Sequence, residues 1–334
     1  MKLIKSALLV AFGLTSLMAV TMAEAADFRV PAEWEPQAAV WMQWPGRYEA
    51  QLRPAFAEII RSVQNHEPVH LLANSRKQQK AAETFLSKHA VSPRNITWHL
   101  IPTDNAWMRD NGSVYLTDGK EIWIQNWAFT GWDGTTGAYH ERDTRVPDHV
   151  GALLGLEVED RSDYVLEKGN LEVNGEGIAM LNWDCQDERN PGLSKAEHEK
   201  ILKEALGLKQ IIWVYGHHPE DLTTGHIDGS ARFINATTVA IADTEEETEL
   251  RLARDLQAVG YKVEWYPGDV NWLVGEDYVV ALSELSAMTD AELEAHLTRY
   301  FPGRKVYLVD AWSIVDSGGG IHCVTNDQPA LSSL

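Results

Sequence analysis

Cys323 lies in SGGGIHCVTND, directly behind three glycines and a histidine, and is one of two cysteines in 334 residues. A glycine run lets backbone, and with it a ligand, approach a neighbouring side chain closely. A thiol in that setting is placed to attack rather than to fill a core. Two upstream segments carry groups suited to the same chemistry. In GHID (225–228), His226 and Asp228 are two apart, a spacing that puts both on one face of an extended segment. Together they offer a proton carrier and a cation anchor. In AWMRDNG (106–112), Asp110 sits in turn chemistry before Gly112, and Trp107 is placed to lay a ring over a planar cation. Each also has a plainer reading: His226 as a structural histidine beside a solvent-facing Asp228, Asp110 as a turn-former, and Trp107 as core in a chain with 13 tryptophans. LEKGNLEVNGEG adds Glu167, Glu172 and Glu176, any of which could orient the histidine. Their spacing does not choose among them.

His217, His218, His226, Asp228, His322 and Cys323 are all potential metal ligands. The chain nevertheless has no HExxH and no CxxC, so no metal is expected. Cys185, behind the strand-like AMLNWDC, reads as a buried small hydrophobe, leaving two free thiols rather than a disulfide.

Strand-like and helical runs alternate throughout, which predicts an α/β protein. Helices are expected over 49–64, 75–89, 194–206, 244–259 and 289–300. In the first of these, Leu52, Phe56, Ile59, Ile60 and Val63 share one face. Capping boxes are expected at Ser194 with Glu197 and at Thr289 with Glu292. Strands are expected over 69–72, 96–101, 113–116, 122–127, 178–181, 210–215, 231–234, 238–242, 261–265, 278–282 and 305–309. Several pair across short turns containing Asp118-Gly119, Asn174-Gly175 or Asn235-Ala236. A strand pair, helix, strand unit recurs about five times at a loose spacing near 60 residues.

At the N-terminus, Lys2 and Lys5 precede an apolar run from Ala7 to about Val20, and Ala23-Glu24-Ala25 offers a small-x-small cleavage site. This predicts a signal peptide over residues 1–25, a catalytic domain over 26–334, and a periplasmic or secreted protein with no membrane attachment after cleavage. The net charge of −20 argues against nucleic acid and would attract a cationic substrate.

AWMRDNG, Glu167 with Gly169 and VNGEG, ERNPGLSKAE, GHID and GGGIHC occur in an order that resembles the agmatine deiminases and the Porphyromonas-type peptidyl-arginine deiminases. VPAEWEPQAAVWMQWP is similar to that family's N-terminal signature, and the likeness runs from Val30 to about Gln328. The resemblance implies the pentein fold, a five-bladed α/β propeller with its active site in the central channel. It also implies roles: Cys323 as nucleophile, His226 as general acid/base, Asp110 and Asp228 as a clamp on a guanidinium, and Glu167 beside the histidine. The implied reaction converts a guanidine to a ureido compound plus ammonia through a thiouronium intermediate, without metal or organic cofactor.

Departures from the family pattern are Lys168 in place of a glycine, Ser113 in place of a proline, Glu172 in place of a histidine, and Asp104-Asn105 in place of paired aspartates. The expected substrate is agmatine or a similar small guanidine, with peptidyl or free arginine as the alternative. For that alternative, Arg142 and Arg145 are the residues expected to meet a carboxylate. A non-catalytic guanidine-binding protein, an amidinotransferase and a cysteine amidohydrolase are the competing classes. Oligomeric state is not legible.

Overall fold

The computed structural model describes residues 28–132, 140–218, 221–244, 246–283 and 288–330. The segment read as a signal peptide lies outside them. Among the described residues, no helix is long and apolar enough to cross a membrane.

The described residues build five small sheets, one after another. In the first, β1 (Gln37–Gln43), α1 (Arg53–Val63), β2 (Val69–Leu72), α2 (Arg76–Lys88) and β3 (Ile96–His99) alternate, and the three strands run parallel. Then α3 (Met108–Asn111) leads into an antiparallel pair, β4 (Val114–Thr117) and β5 (Ile122–Ala128). After α4 (Val146–Leu154), β6 (Val158–Val165) joins β5 in parallel.

The next three units repeat that plan. β7 (Glu172–Val173) and β8 (Ile178–Asn182) pair, followed by α5 (Trp183–Arg189), α6 (Lys195–Leu206) and β9 (Gln210–Val214). The short α7 (Ile227–Ser230) enters β10 (Ala231–Asn235) and β11 (Thr238–Ala242), which α8 (Glu247–Ala258) connects to β12 (Lys262–Tyr266). β13 (Leu273–Val274) and β14 (Tyr278–Leu282) continue through α9 (Asp290–Tyr300) to β15 (Lys305–Val309). Finally α10 (Trp312–Val315) precedes β16 (Asn326–Pro329), which pairs antiparallel with β1 and ties the last segment into the first sheet. Five sheets match the five repeated units of a pentein. The expected spacing is uneven because the first unit carries an additional helix and strand.

The reasons are local. β11 and β14 are buried at every position and, but for Thr238, built of apolar and aromatic residues, as befits strands covered on both faces. In α1, Phe56, Ile59, Ile60 and Val63 are fully buried, each contributing about 1.5–3 kcal/mol relative to exposure. Both expected capping boxes are present, with Ser194 bonded to Glu197 and Thr289 to Glu292. Sequence patterning does not reveal β1, β6, β7, β13 and β16, or the helices α4 and α5. β7 and β13 are two residues long, and β16 (Asn-Asp-Gln-Pro) has no apolar alternation to detect.

One regularity positions the site. In every unit, the segment just before the first strand of the antiparallel pair carries a candidate residue. Asp110 precedes β4, Glu167 precedes β7, His226 and Asp228 precede β10, Asn271 precedes β13, and Cys323 precedes β16. Five separate turns thus deliver their side chains toward one place.

Candidate active site

Cys323, His226 and Asp228 line one open pocket of about 450 Å³, together with Asn271 and Gly318 to Gly320. The glycine run has a specific cause. A Cβ on Gly319 would fall 2.3 Å from the Trp107 ring, and one on Gly320 would fall 2.3 Å from Asn271 Oδ1. The protein's own side chains therefore make the close approach, pressing the turn that carries Cys323 into shape. Asn271 then brackets the thiol: its Nδ2 lies 3.3 Å from Sγ, and its Oδ1 accepts the backbone N–H groups of His322 and Cys323 at 2.9 and 3.3 Å.

His226 is 4% exposed. Its Nε2 meets Glu167 Oε2 at 2.6 Å, and its Nδ1 lies 3.5 Å from Asp110 Oδ1. Structure thus resolves the choice that spacing leaves open, because Glu172 binds Arg232 at 2.8 Å instead and Glu176 is exposed. Arg189 holds Glu167 from behind with two hydrogen bonds, Nε to Oε1 at 2.9 Å and Nη2 to Oε2 at 3.4 Å. Such a fork fixes the plane of the carboxylate and hence the imidazole. Gly169 is required here, since a Cβ would lie 2.5 Å from His226 Nδ1 and 2.7 Å from Asp110 Oδ1.

Asp110 and Glu167 lie behind His226 rather than on the pocket wall. Asp110 Oδ1 accepts the Gly169 N–H at 3.2 Å, and Oδ2 accepts the Trp132 indole N–H at 2.8 Å. Trp107 packs beside the glycine turn and the first sheet's core, and is not among the pocket's lining residues. Arg142 and Arg145 are exposed and also outside the pocket lining; Arg142 faces Asp104 at 3.7 Å. GHID is not an extended segment: His226 caps the helical turn Ile227–Ser230, with Ile227 in the core between the two polar residues. His226 and Asp228 reach the same pocket through that turn rather than by strand alternation.

The electrostatics describe a resting site. Burial pushes the Cys323 thiol well up, and the negative charges of Asp228 and Asp110 add to it. Burial opposes charge on His226, but Asp110 and the contacts with Cys185 and Glu167 outweigh it and raise the ring well above the usual imidazole range. Burial, with Glu167 and Asp228 nearby, raises Asp110 to about 6 against the pull of His226. For Asp228, the His322 hydrogen bond and the surrounding cations overcome burial and hold it below the usual carboxylate range. A protonated imidazole and a neutral thiol therefore face a pocket lined by the Asp228 carboxylate.

Cys185 is buried and free, as is Cys323. It lies on α5 just after β8, and with Glu167 and His226 it forms a trio whose ligand-type atoms lie within 4.8 Å of one another. That trio does not fit a metal. The 2.6 Å Nε2–Oε2 separation is a hydrogen bond, whereas two ligands of one tetrahedral zinc stand roughly 3.3 Å apart. Asn271, Arg189 and Trp132 were not identified as site residues from sequence. Only Arg189 falls inside a recognisable motif, ERNPGLSKAE.

Lys168, the cation where the family pattern has glycine, points elsewhere. Its ammonium binds Asp327 at 2.9 Å, and Arg109 binds the same carboxylate oxygen at 2.7 Å. These groups border a separate cavity of about 30 Å³ that does not include Cys323.

The sequence profile of the Porphyromonas-type peptidyl-arginine deiminases matches residues 29–264 and 266–329. A relative from Pseudomonas aeruginosa (strain LESB58), named agmatine deiminase, is 29% identical over 91% of this chain and 96% of its own. One of the same name from Ectopseudomonas mendocina is 27% identical over 93% of this chain and 98% of its own. Among solved structures, the agmatine deiminase of Enterococcus faecalis shares the fold with a TM-score of 0.81, at 24% identity over 91% of this chain and 96% of that one.

Proposed function

The chain belongs to the Porphyromonas-type peptidyl-arginine deiminase family, and from that premise we propose that it hydrolyses a guanidino group to a ureido group and ammonia, with agmatine as substrate. The observation that carries the reading is the convergence of Cys323, His226 and Asp228 on one pocket, with Asp110 and Glu167 directly behind the histidine.

The chemistry follows from the resting charges. A guanidinium entering beside Asp228, within the field of Asp110 behind His226, offsets the negative charge that holds the thiol up, and a proton leaves to solvent as the thiolate forms. The thiolate adds to the central guanidine carbon. His226 gives its proton to one amino group, which departs as ammonia and leaves a cationic thiouronium on Cys323. The now neutral His226 takes a proton from water, whose oxygen adds to the same carbon. Collapse breaks the carbon–sulfur bond and releases the ureido product, which sheds its extra proton. Proton transfer of this kind contributes about 10²–10⁴-fold. Glu167, held by Arg189, keeps the ring oriented through both transfers.

Agmatine is favoured over arginine by the rest of the pocket. Asp221, Asp243 and Asp269 line it beyond the reacting groups, and no arginine or lysine does so among the described residues. Such a wall suits an ammonium tail and disfavours a carboxylate. The agmatine deiminase name of the two bacterial relatives points the same way.

The test is ammonia release on agmatine, free arginine and a peptide ending in arginine, with Cys323→Ala as control. Agmatine turnover abolished in the control, with arginine at least about 100-fold poorer, is the expected result. Preference for the arginine peptide, with loss of that preference in Arg142→Ala, would move the assignment to the peptidyl-arginine alternative.

A further inference from the structure

His322 has no role in the scheme above, yet it is 2% exposed and placed between two carboxylates. Its Nδ1 lies 2.7 Å from Asp228 Oδ2, and its Nε2 lies 2.9 Å from Glu33 Oε2. Asp228 is the clamp residue of the proposed site. Glu33 is itself anchored, accepting from the Val274 N–H at 2.7 Å and from Arg232 Nη2. Arg232 in turn binds Glu172 and the Trp272 carbonyl, each at 2.8 Å. The backbone of His322 is fixed as well: its N–H donates to Asn271, and its carbonyl accepts from Arg109 Nε at 3.2 Å. The side chain therefore has one arrangement available.

The proton count is informative. Each imidazole–carboxylate contact needs one proton, and a neutral ring supplies a single N–H. Two contacts below 3 Å thus require a second proton, carried by the ring or by a carboxylate. The charged groups facing this unit are Asp228 and Glu33 on its two nitrogens, with the guanidinium groups of Arg232 and Arg109 beyond. Burial and those two guanidiniums push the ring well below the usual imidazole range, so the second proton rests in a hydrogen bond shared with a carboxylate rather than on a free imidazolium. We infer that His322 is a positioning residue for the guanidinium clamp: braced by Glu33, it fixes Asp228 Oδ2, leaves Oδ1 for the substrate, and shares one additional proton across the three groups. This inference rests on the guanidine-deiminase reading for its substrate, though the proton count stands independently of it. A clamp carboxylate with a free choice of rotamer would lose alignment with a planar cation, and the shared proton limits the negative charge crowded beside Cys323.

The experiment compares His322→Gln, His322→Asn and the unaltered full chain. Gln cannot place a donor at the Nδ1 position, whereas the shorter Asn can. His322→Gln is expected to raise KM for agmatine by about tenfold with a smaller effect on kcat, and His322→Asn to restore KM to within about threefold. A role confined to packing would lower the melting temperature and leave KM unmoved, so a folded His322→Gln with unchanged KM overturns the proposal. In the unaltered protein, histidine-labelled NMR is expected to show two exchange-protected downfield protons at the His322 ring, one per contact. A single such proton would also overturn it, and this readout decides if His322→Gln does not fold. Absence of turnover of any guanidine by the unaltered chain would instead refute the reaction, and would be seen before any variant is compared.

Discussion

A nucleophile that rests as a thiol behaves differently toward neutral and cationic reagents. Burial and the flanking Asp228 and Asp110 raise Cys323 well above the ordinary thiol range, while Asp110, Cys185 and Glu167 keep His226 protonated. In the proposed reaction the attacking form is the thiolate, so binding of a cation would also activate the sulfur. Iodoacetamide, which is neutral, should label Cys323 at pH 7 at least about tenfold more slowly than it labels an unstructured peptide thiol. The rate should rise as pH climbs beyond the usual thiol range. A cationic haloacetamidine should label readily at pH 7, because it brings the charge that the pocket lacks. Mass-spectrometric labelling rates for the two reagents check this, and equal reactivity of Cys323 and the peptide thiol toward iodoacetamide would contradict it.

At the scale of elements, the site is a property of five connecting segments, two of them the single helical turns α3 and α7, rather than of any long helix or strand. Each segment enters one strand of an antiparallel pair, so a side chain anchored at the strand's start is held by the sheet behind it. Lys168 shows how finely such a turn divides its surroundings. Glu167 faces the histidine and Gly169 makes room for it, while Lys168 between them turns to Asp327. The cation that departs from the family pattern is therefore a partner of the last strand. Lys168→Ala should leave kcat/KM on agmatine within about twofold. It should cost about 1–3 kcal/mol of stability, since Arg109 still answers Asp327 while one charge-assisted bond is lost. Urea unfolding alongside steady-state kinetics measures both, and a large loss of kcat/KM without loss of stability would place Lys168 in the site after all.

For the whole molecule, the dominant field is negative. A net charge of −20 and a pocket wall carrying several aspartates favour encounter with a dication over a zwitterion. That advantage is screened by salt, whose reach falls to about 8 Å at physiological ionic strength. Accordingly, kcat/KM for agmatine should fall by about threefold or more between roughly 20 and 200 mM salt, with kcat little changed. Stopped-time assays across that range test it, and a salt-independent kcat/KM would mean that the acidic surface serves solubility alone.

By itself the sequence offered side chains capable of the chemistry, because reactivity belongs to residue type: a thiol behind glycines and a histidine two residues from an aspartate each announce themselves within a few residues, whereas pairing Asp110 with Asp228 came only from the family resemblance. It also determined the α/β alternation and the paired caps at Ser194 and Thr289, which are local matters of period and hydrogen-bond reach. The tertiary structure decided what depends on distance between segments remote in the chain. It selected Glu167 over Glu172, since Glu172 is held by Arg232. It brought in Asn271, Arg189 and Trp132, none of which sits beside another site residue in sequence. It placed Arg142 and Arg145 on the surface, and turned GHID from an extended segment into a helical turn. It also set His322 between Asp228 and Glu33, residues 94 and 289 positions away. Local patterns carry no record of such contacts, because five separate sheets must assemble before those turns meet.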